Sequence, residues 1–304
     1  MTTFDAVTRW AIDALGSPPV AELFNVRQMS HVVGLRLADG REVVVKGRPN
    51  VDRARRCVAG QQALHADGFP CPEPLTEVAE VDGMAIHAEA YVGGGEQLEG
   101  TGRTVVDRFA TLLADLIDRL KRLDPPAPEP GPMWLTWDHD GTDSWPQDPV
   151  AYPHLQKVTP PGWLTDVAAR VRARLAAVRL AEVVGHGDWE SQNLRWRRGR
   201  IHVVHDWDSL TTRPEAALVG AAAAAFATQG LPTLAPVDAS ERFVAVYERE
   251  RGRSFTDEER EVAWATGLWL ATHGARMELV EDRPRLLLDA LAREAVERLA
   301  RARA

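Results

Sequence analysis

The sequence predicts an α+β protein of two lobes, an antiparallel-sheet amino-terminal lobe over residues 1–92 and a mainly helical lobe over 93–304. Three observations carry this. Val-rich segments punctuated by turn residues fill the first 90 or so positions, Gly93-Gly94-Gly95 then breaks the chain, and from Phe109 the apolar period changes from that of strands to that of helices. At 304 residues the chain suits one bilobal enzyme or two closely packed domains.

The elements follow in order. Residues 1–16, with Asp5, Arg9 and Asp13 among apolar positions, read as an amphipathic helix without the apolar core of a signal peptide. Residues 23–27, 32–37 and 42–46 read as strands, the last two turned by Ala38-Asp39-Gly40. Residues 53–67 have helical character, stopped by Gly68-Phe69-Pro70-Cys71-Pro72, whose prolines force extended backbone. Residues 75–81 and 84–92 are strands about Asp82-Gly83, and the glycine run follows as a hinge or linker. Phe109, Leu112, Leu113, Leu116, Ile117, Leu120 and Leu123 mark the clearest helix by their i, i+3, i+4, i+7 spacing. Residues 124–163 form a long proline-rich insertion without periodicity; residues 166–180 are helical, and the chain is helical again from 218 to its end, with loops near 230–236 and 251–256.

Composition narrows the function. The longest apolar run, 216–227, is shorter than the roughly 20 residues a membrane span requires. Cys57 and Cys71 stand in no metal-ligand or disulfide pattern, which fits a reducing cytosol. A net charge of -8 disfavours a nucleic-acid partner, which demands clustered cations, and is compatible with a cationic small substrate. Of 36 basic residues only three are lysine, Lys46, Lys121 and Lys157, so a lysine here asks for a reason.

The chemistry concentrates in His186-Gly187-Asp188-Trp189-Glu190-Ser191-Gln192-Asn193 and His205-Asp206-Trp207-Asp208, two polar loops joined by short strands turned at Arg198-Gly199-Arg200. That hairpin returns Asp206 beside the first loop. Phosphoryl transfer needs such a set: one carboxylate to orient an attacking hydroxyl and accept its proton, and an amide and a carboxylate oxygen to hold Mg²⁺ against nucleotide phosphates. It also wants a lysine on the phosphates, and Lys46, ending a Val-Val-Val strand, is the candidate.

At these residues the sequence resembles the aminoglycoside phosphotransferase family, the small-molecule branch of the protein-kinase-like fold. The family's HxDxxxxN loop matches His186, Asp188 and Asn193, and its following metal-binding aspartate matches Asp206; more loosely the likeness extends over the whole chain, including the GFPCP segment at 68–72. The resemblance implies Asp188 as catalytic base with His186 bracing the loop, Asn193 and Asp206 as Mg²⁺ ligands, and Lys46 on the phosphates of ATP or GTP. It further implies that Asp208 assists a second metal or holds Asp206. Ser30 would cover the phosphates from the glycine-free turn 27–31, and Tyr91 would bind nucleotide in the hinge segment 89–92. Two departures stand out: helix 53–67 offers Gln61 or Gln62 and no glutamate to pair with Lys46, and Ser209 to Glu215 replace the usual acidic continuation after Asp208.

The insertion holds Trp134, Trp137, Trp145 and Trp163, and its five acids, Glu129, Asp138, Asp140, Asp143 and Asp148, face one base, Lys157. Aromatic faces and carboxylates together suit an amine-bearing ligand, so the insertion is expected to wall a site for a small, cationic hydroxyl acceptor such as an aminoglycoside-like antibiotic. A brace for the helical lobe is the plainer reading. Two other functions compete with small-molecule phosphorylation: a phosphoesterase with two metals gathered by His186, Asp188, Asn193, His205 and Asp206, and a degenerate nucleotide-binding module without catalysis. The first leaves Lys46 unexplained, and the intact Asp188, Asn193 and Asp206 speak against the second.

Overall fold

The computed structural model describes residues 3–27, 30–147, 155 and 158–304. Gln28 and Met29 of the expected phosphate turn, and Asp148 and Lys157 of the insertion, lie outside the described residues. A helix α1 (Thr3–Leu15) precedes strands β1 (Pro19–Arg27), β2 (His31–Leu37) and β3 (Glu42–Arg48); helix α2 (Val51–Ala66), β4 (Ala79–Val81) and β5 (Met84–Ala90) complete an antiparallel sheet of order β1-β2-β3-β5-β4. The predicted strand at 75–81 shortens to β4, although Leu75 still donates its N–H to the Ala88 carbonyl (2.8 Å).

Strand alternation determines what each face of the sheet carries. In register, Val33 faces Val45, Leu35 faces Val43 and Val45 faces Ala88, and these residues bury themselves with Ile86 against Ala11 and Leu15 of α1. The intervening positions of β3 and β5, Val44, Lys46, Arg48, His87 and Glu89, share the opposite face. Helix α2 starts at Asn50, whose side chain accepts from the Arg53 N–H (3.1 Å). Its Cys57 and Leu64, with Phe69 and Cys71, join the helical core, so apolar packing crosses the sequence boundary near residue 92.

Beyond the sheet come α3 (Arg103–Leu123), α4 (Gly162–Ala176), β6 (Glu182–His186), β7 (Leu194–Arg197), β8 (Arg200–Val204), β9 (Leu210–Pro214), α5 (Glu215–Ala225), α6 (Val237–Arg251), α7 (Asp257–Val280) and α8 (Leu286–Ala302). Helix α3 buries Phe109, Leu112, Leu113, Leu116, Ile117 and Leu120, as its spacing predicts. Helix α4 begins directly after Pro161, earlier than the apolar pattern suggests, since proline favours a helix entry. Helix α5 is buried throughout, and a Cβ on its Gly220 would lie 2.0 Å from the Ala263 carbonyl oxygen, so only glycine permits this approach to α7. The linker is held in place: Gly94 and Gly95 take positive φ, and Glu96 exchanges two backbone hydrogen bonds with Trp196 (2.8 and 2.9 Å). Among the described residues no helix is long and apolar enough to cross a membrane.

Candidate active site

The two polar loops are brought together by nested strand pairs. Outside, β6 pairs with β9, placing His186 opposite Leu210; inside, β7 and β8 form the expected hairpin through Arg198-Gly199. Gly187 donates its N–H to Ser209 (2.7 Å), and His205 donates to the Asn193 carbonyl (2.8 Å). A Cβ at Gly187 would meet Leu135, Ser209 and Thr211 at 2.9–3.1 Å, so glycine lets the loops close on each other.

His186 is buried beneath both loops. Its Nδ1 accepts the Asp188 N–H (3.2 Å), which leaves Nε2 to donate to the His205 carbonyl (3.0 Å). It therefore positions Asp188 and the second loop from below. Asn193 spends its Nδ2 hydrogens on the Asp188 carbonyl (2.9 Å) and Oδ2 (2.8 Å), leaving Oδ1 as an outward acceptor. Asp206 sits in the left-handed region (φ 61°) and accepts from Ser209 Oγ (2.7 Å).

The charges are separated by their surroundings. Burial and the nearby Asp206 charge push the Asp188 carboxyl upward, with the Asn193 hydrogen bond opposing. Burial also disfavours the charge on Asp206, but Lys46, Ser209, His186 and Arg48 prevail and hold it below the usual carboxylate range. Glu190, deeply buried near Asp188, is pushed well up despite the hydrogen bond from Gln192. Burial pushes His205 down to about 4, which makes it neutral.

Across the cleft, Lys46 Nζ lies 3.0 Å from Glu89 Oε1, and Gln61 of α2 donates to Glu89 Oε2 (2.9 Å) and to the Pro72 carbonyl (2.9 Å). The carboxylate partner of Lys46 thus comes from β5, two strand positions from the paired residue, while Gln61 braces that carboxylate. Arg48, on the same face of β3, pairs with Asp208. Asp208, expected to assist a second metal or to hold Asp206, thus has an arginine of β3 as its ion-pair partner. Arg53 donates to the Asp208 and Leu210 carbonyls (both 2.9 Å) and to the Pro130 carbonyl (2.6 Å), joining α2, the second loop and the insertion.

Lys46, Arg48, Arg53, Glu89, Asp188, Asn193, Asp206 and Asp208 line one cleft of about 1190 Å³, together with Ser30, Val32, Val44 and Tyr91. Ser30 and Tyr91 are therefore at the cleft wall. The Tyr91 ring packs on Phe24 (centroids 5.9 Å apart) and its N–H is spent on the Glu42 carbonyl (3.0 Å).

The model of the phosphotransferase enzyme family matches residues 28–217, more than half of the chain and every element just described from the second strand to the second loop. The chain belongs to the phosphotransferase enzyme family. A comparison with curated proteins gives no match. Among solved structures, this phosphotransferase is similar to a putative aminoglycoside phosphotransferase from Ralstonia eutropha JMP134 (16% identity, 99% and 98% of the two chains covered, TM-score 0.62). It is also similar to the amicoumacin kinase hAmiN in complex with AMP-PNP, Ca²⁺ and Ami (12%, 99% and 92%, TM-score 0.63). A third is a ternary complex of the aminoglycoside phosphotransferase APH(4)-Ia with ADP and hygromycin B (16%, 98% and 98%, TM-score 0.58). At these identities the likeness establishes the fold, the bilobal protein-kinase-like one.

A second cavity of about 270 Å³ opens beside Asp188 and Glu190, between the insertion and helices α5 and α7. Trp134 borders both spaces, with its Nε1 donating to the Gly187 carbonyl (2.9 Å). The insertion does wall the site, but through residues 130–134, Thr136, Pro146 and Gln147. Its acids do otherwise. Asp138 pairs with Arg213 (2.9 Å), Asp143 accepts from Gln147 (2.9 Å), and neither they nor Asp140 line either space. Trp137 and Trp145 are buried, under Arg213 and Arg276 respectively. Of the expected wall of carboxylates, Asp138 is thus engaged in an ion pair and Asp143 in a hydrogen bond.

Sequence reasoning missed Glu89, Arg48, Arg53 and Glu190. A carboxylate inside the apolar strand Met84–Ala90 was the available signal for Glu89, and the i, i+2 spacing of Lys46 and Arg48 was the signal for Arg48. Among the described residues no three His, Cys, Asp or Glu side chains are arranged to hold a metal ion. A Mg²⁺ held by one carboxylate, one amide oxygen and substrate phosphates needs no such cluster.

Proposed function

We propose that this phosphotransferase moves the γ-phosphoryl group of ATP to a hydroxyl of a small molecule, with Mg²⁺ as the metal. The observation that carries the reading is the convergence, on one cleft, of Asp188, Asn193 and Asp206 from below and the Glu89-braced Lys46 from above. Each has a part in phosphoryl transfer. Asp188 accepts the proton of the acceptor hydroxyl as its oxygen bonds to phosphorus; the bond from the γ-phosphorus to the bridging oxygen breaks and its electrons leave on ADP. His186 and Asn193 hold Asp188 in place, and Lys46 contacts the phosphates as a point charge.

The residues present fit a hard divalent cation. Asn193 Oδ1 is left free by its own amide's bonds to Asp188, and Asp206 is kept ionised, which gives two oxygen ligands of the type Mg²⁺ takes. When bound, the metal would neutralise charge on the phosphates. Val32, Val44, Phe24 and Tyr91 supply apolar and aromatic surface for the base, and the acceptor occupies the cavity beside Asp188. Glu190 and Asp188 are the acids of that cavity and the place for an amine, should the acceptor carry one.

The test is nucleotide consumption by the purified chain across a panel of hydroxylated compounds, with ATP and GTP and with and without Mg²⁺, and mass spectrometry of the product. Metal-dependent formation of a phosphorylated acceptor supports the reading. Saturating nucleotide with every acceptor class unmodified contradicts it.

A further inference from the structure

The cavity beside Asp188 differs in character from the nucleotide cleft. Its walls are Trp134, Ala224, Leu234, Leu270, Ala271 and Leu287, from the insertion, α5, the loop before α6, α7 and α8. Leu231 and Leu286, each next in sequence to a lining residue, are exposed apolar side chains, 49% and 44% accessible. Gly274 lets α8 this close, since a Cβ there would lie 2.4 Å from Leu287 Cδ1. Large apolar side chains left at the surface around an apolar hollow favour a ligand that covers them.

The polar groups in the wall are few and mostly committed. Glu190 Oε2 accepts from Gln192 (2.6 Å) and Asp188 Oδ2 from Asn193 (2.8 Å). The third charged lining residue, Arg283, is a cation, half exposed and paired with Glu281 (2.5 Å). His273 of α7 is 7% exposed and its Nε2 has no partner among the described residues. A ligand with many amines would meet only two acids in this wall, Asp188 and Glu190, both already hydrogen-bonded, beside Arg283 and mostly apolar surface, and Asp138 and Asp143 of the insertion line neither space.

We propose that the acceptor is a hydroxylated molecule with an apolar body and at most one cationic group, seated in this cavity with its reactive hydroxyl toward Asp188. This rests on the phosphotransferase reading of Asp188 and deepens it. His273 gives the acceptor one hydrogen-bonding point, and the single amine, where present, lies toward Glu190.

Calorimetry on the full chain with Mg²⁺ and AMP-PNP would compare polyamine aminoglycosides with monoamine macrolides and neutral steroid alcohols. The apolar set should bind at least about tenfold more tightly, the discrimination an apolar pocket reaches per lost alkyl contact. Leu270→Gln, at a partly exposed wall position, should weaken the apolar set by about tenfold and narrow that preference. Tighter binding of the polyamines overturns the inference, as does binding of neither set, or indifference of the apolar set to Leu270→Gln in a variant that binds AMP-PNP. Absence of AMP-PNP binding by the wild type in Mg²⁺ would instead overturn the proposed function, and the inference with it.

Discussion

Glu89→Gln tests how the phosphate lysine is held. Lys46 and Glu89 are 5% and 2% exposed, and their charged atoms lie 3.0 Å apart, so at an effective dielectric of about 20 their attraction is roughly 5 to 6 kcal/mol. Desolvating both ions cancels most of that, and the net worth of the pair is small; breaking it is another matter, because Lys46 keeps its buried charge and loses its counter-ion, at a cost of about 3 to 5 kcal/mol. With an unfolding entropy of about 0.6 kcal/mol/K at this chain length, the loss corresponds to a fall of roughly 5 to 8 °C in Tm. Nucleotide affinity should drop as well, since an unpaired Lys46 is free to leave the phosphates. The decisive comparison is the double variant Lys46→Met with Glu89→Leu, which replaces both ions by apolar groups: stability should return to near wild type while phosphoryl transfer stays lost. Thermal melts and steady-state kinetics on the three proteins provide the readout. A Glu89→Gln protein with unchanged Tm and unchanged KM for ATP would refute the account of Lys46, and a double variant that recovers activity would remove Lys46 from the site.

Three further outcomes follow from the same geometry. Asp206→Ala should weaken nucleotide binding in Mg²⁺ and make it less metal-dependent, checked by titrating nucleotide at several metal concentrations; identical titrations in wild type and variant would contradict its role. Replacing Asp138, Asp140 and Asp143 together by Asn should cost at most about 1 kcal/mol of stability through loss of the Asp138–Arg213 pair, seen as a small fall in Tm, and leave the acceptor KM within a factor of about two, since none of the three lines the cavity. Glu215, buried with Tyr247, Arg251 and Arg253 at the start of α5, has its carboxyl held below the usual range: burial opposes the charge, but Tyr247, the two arginines and Lys121 outweigh it. A carboxyl depressed on folding contributes stability above its unfolded pKa and loses it as pH falls through the folded one. Glu215→Gln should therefore lower Tm at pH 7 and flatten its decline in acid, as melts from pH 7 to pH 3 would reveal.

What the sequence made legible is what chemistry forces into one contiguous stretch. Asp188 and Asn193 share a loop, and Asp206 returns on a hairpin whose Arg198-Gly199 turn is visible in the residues themselves. Strand alternation likewise announced β2 and β3, and the leucine stripe announced α3. Glu89 was hidden because its meeting with Lys46 is a product of the β3–β5 register, and its brace Gln61 comes from a helix packed across both strands. The insertion misled for a related reason. Its acidic count could be read from the sequence, but the pairing of Asp138 with Arg213 of β9 is a tertiary fact, and pairing decides whether a carboxylate faces ligand or protein. The break between α7 and α8 was obscured by apolar residues continuing on both sides, although Pro284 marks it.

The most direct test of the whole account is single-turnover transfer from γ-labelled ATP to an apolar alcohol acceptor, in wild type and in Asp188→Asn. An amide cannot accept the hydroxyl proton, so the variant should bind nucleotide as before and transfer label to the acceptor about 10² to 10⁴ times more slowly. Transfer at the wild-type rate in Asp188→Asn would show that the loop holding Asp188 is not where the acceptor hydroxyl is activated.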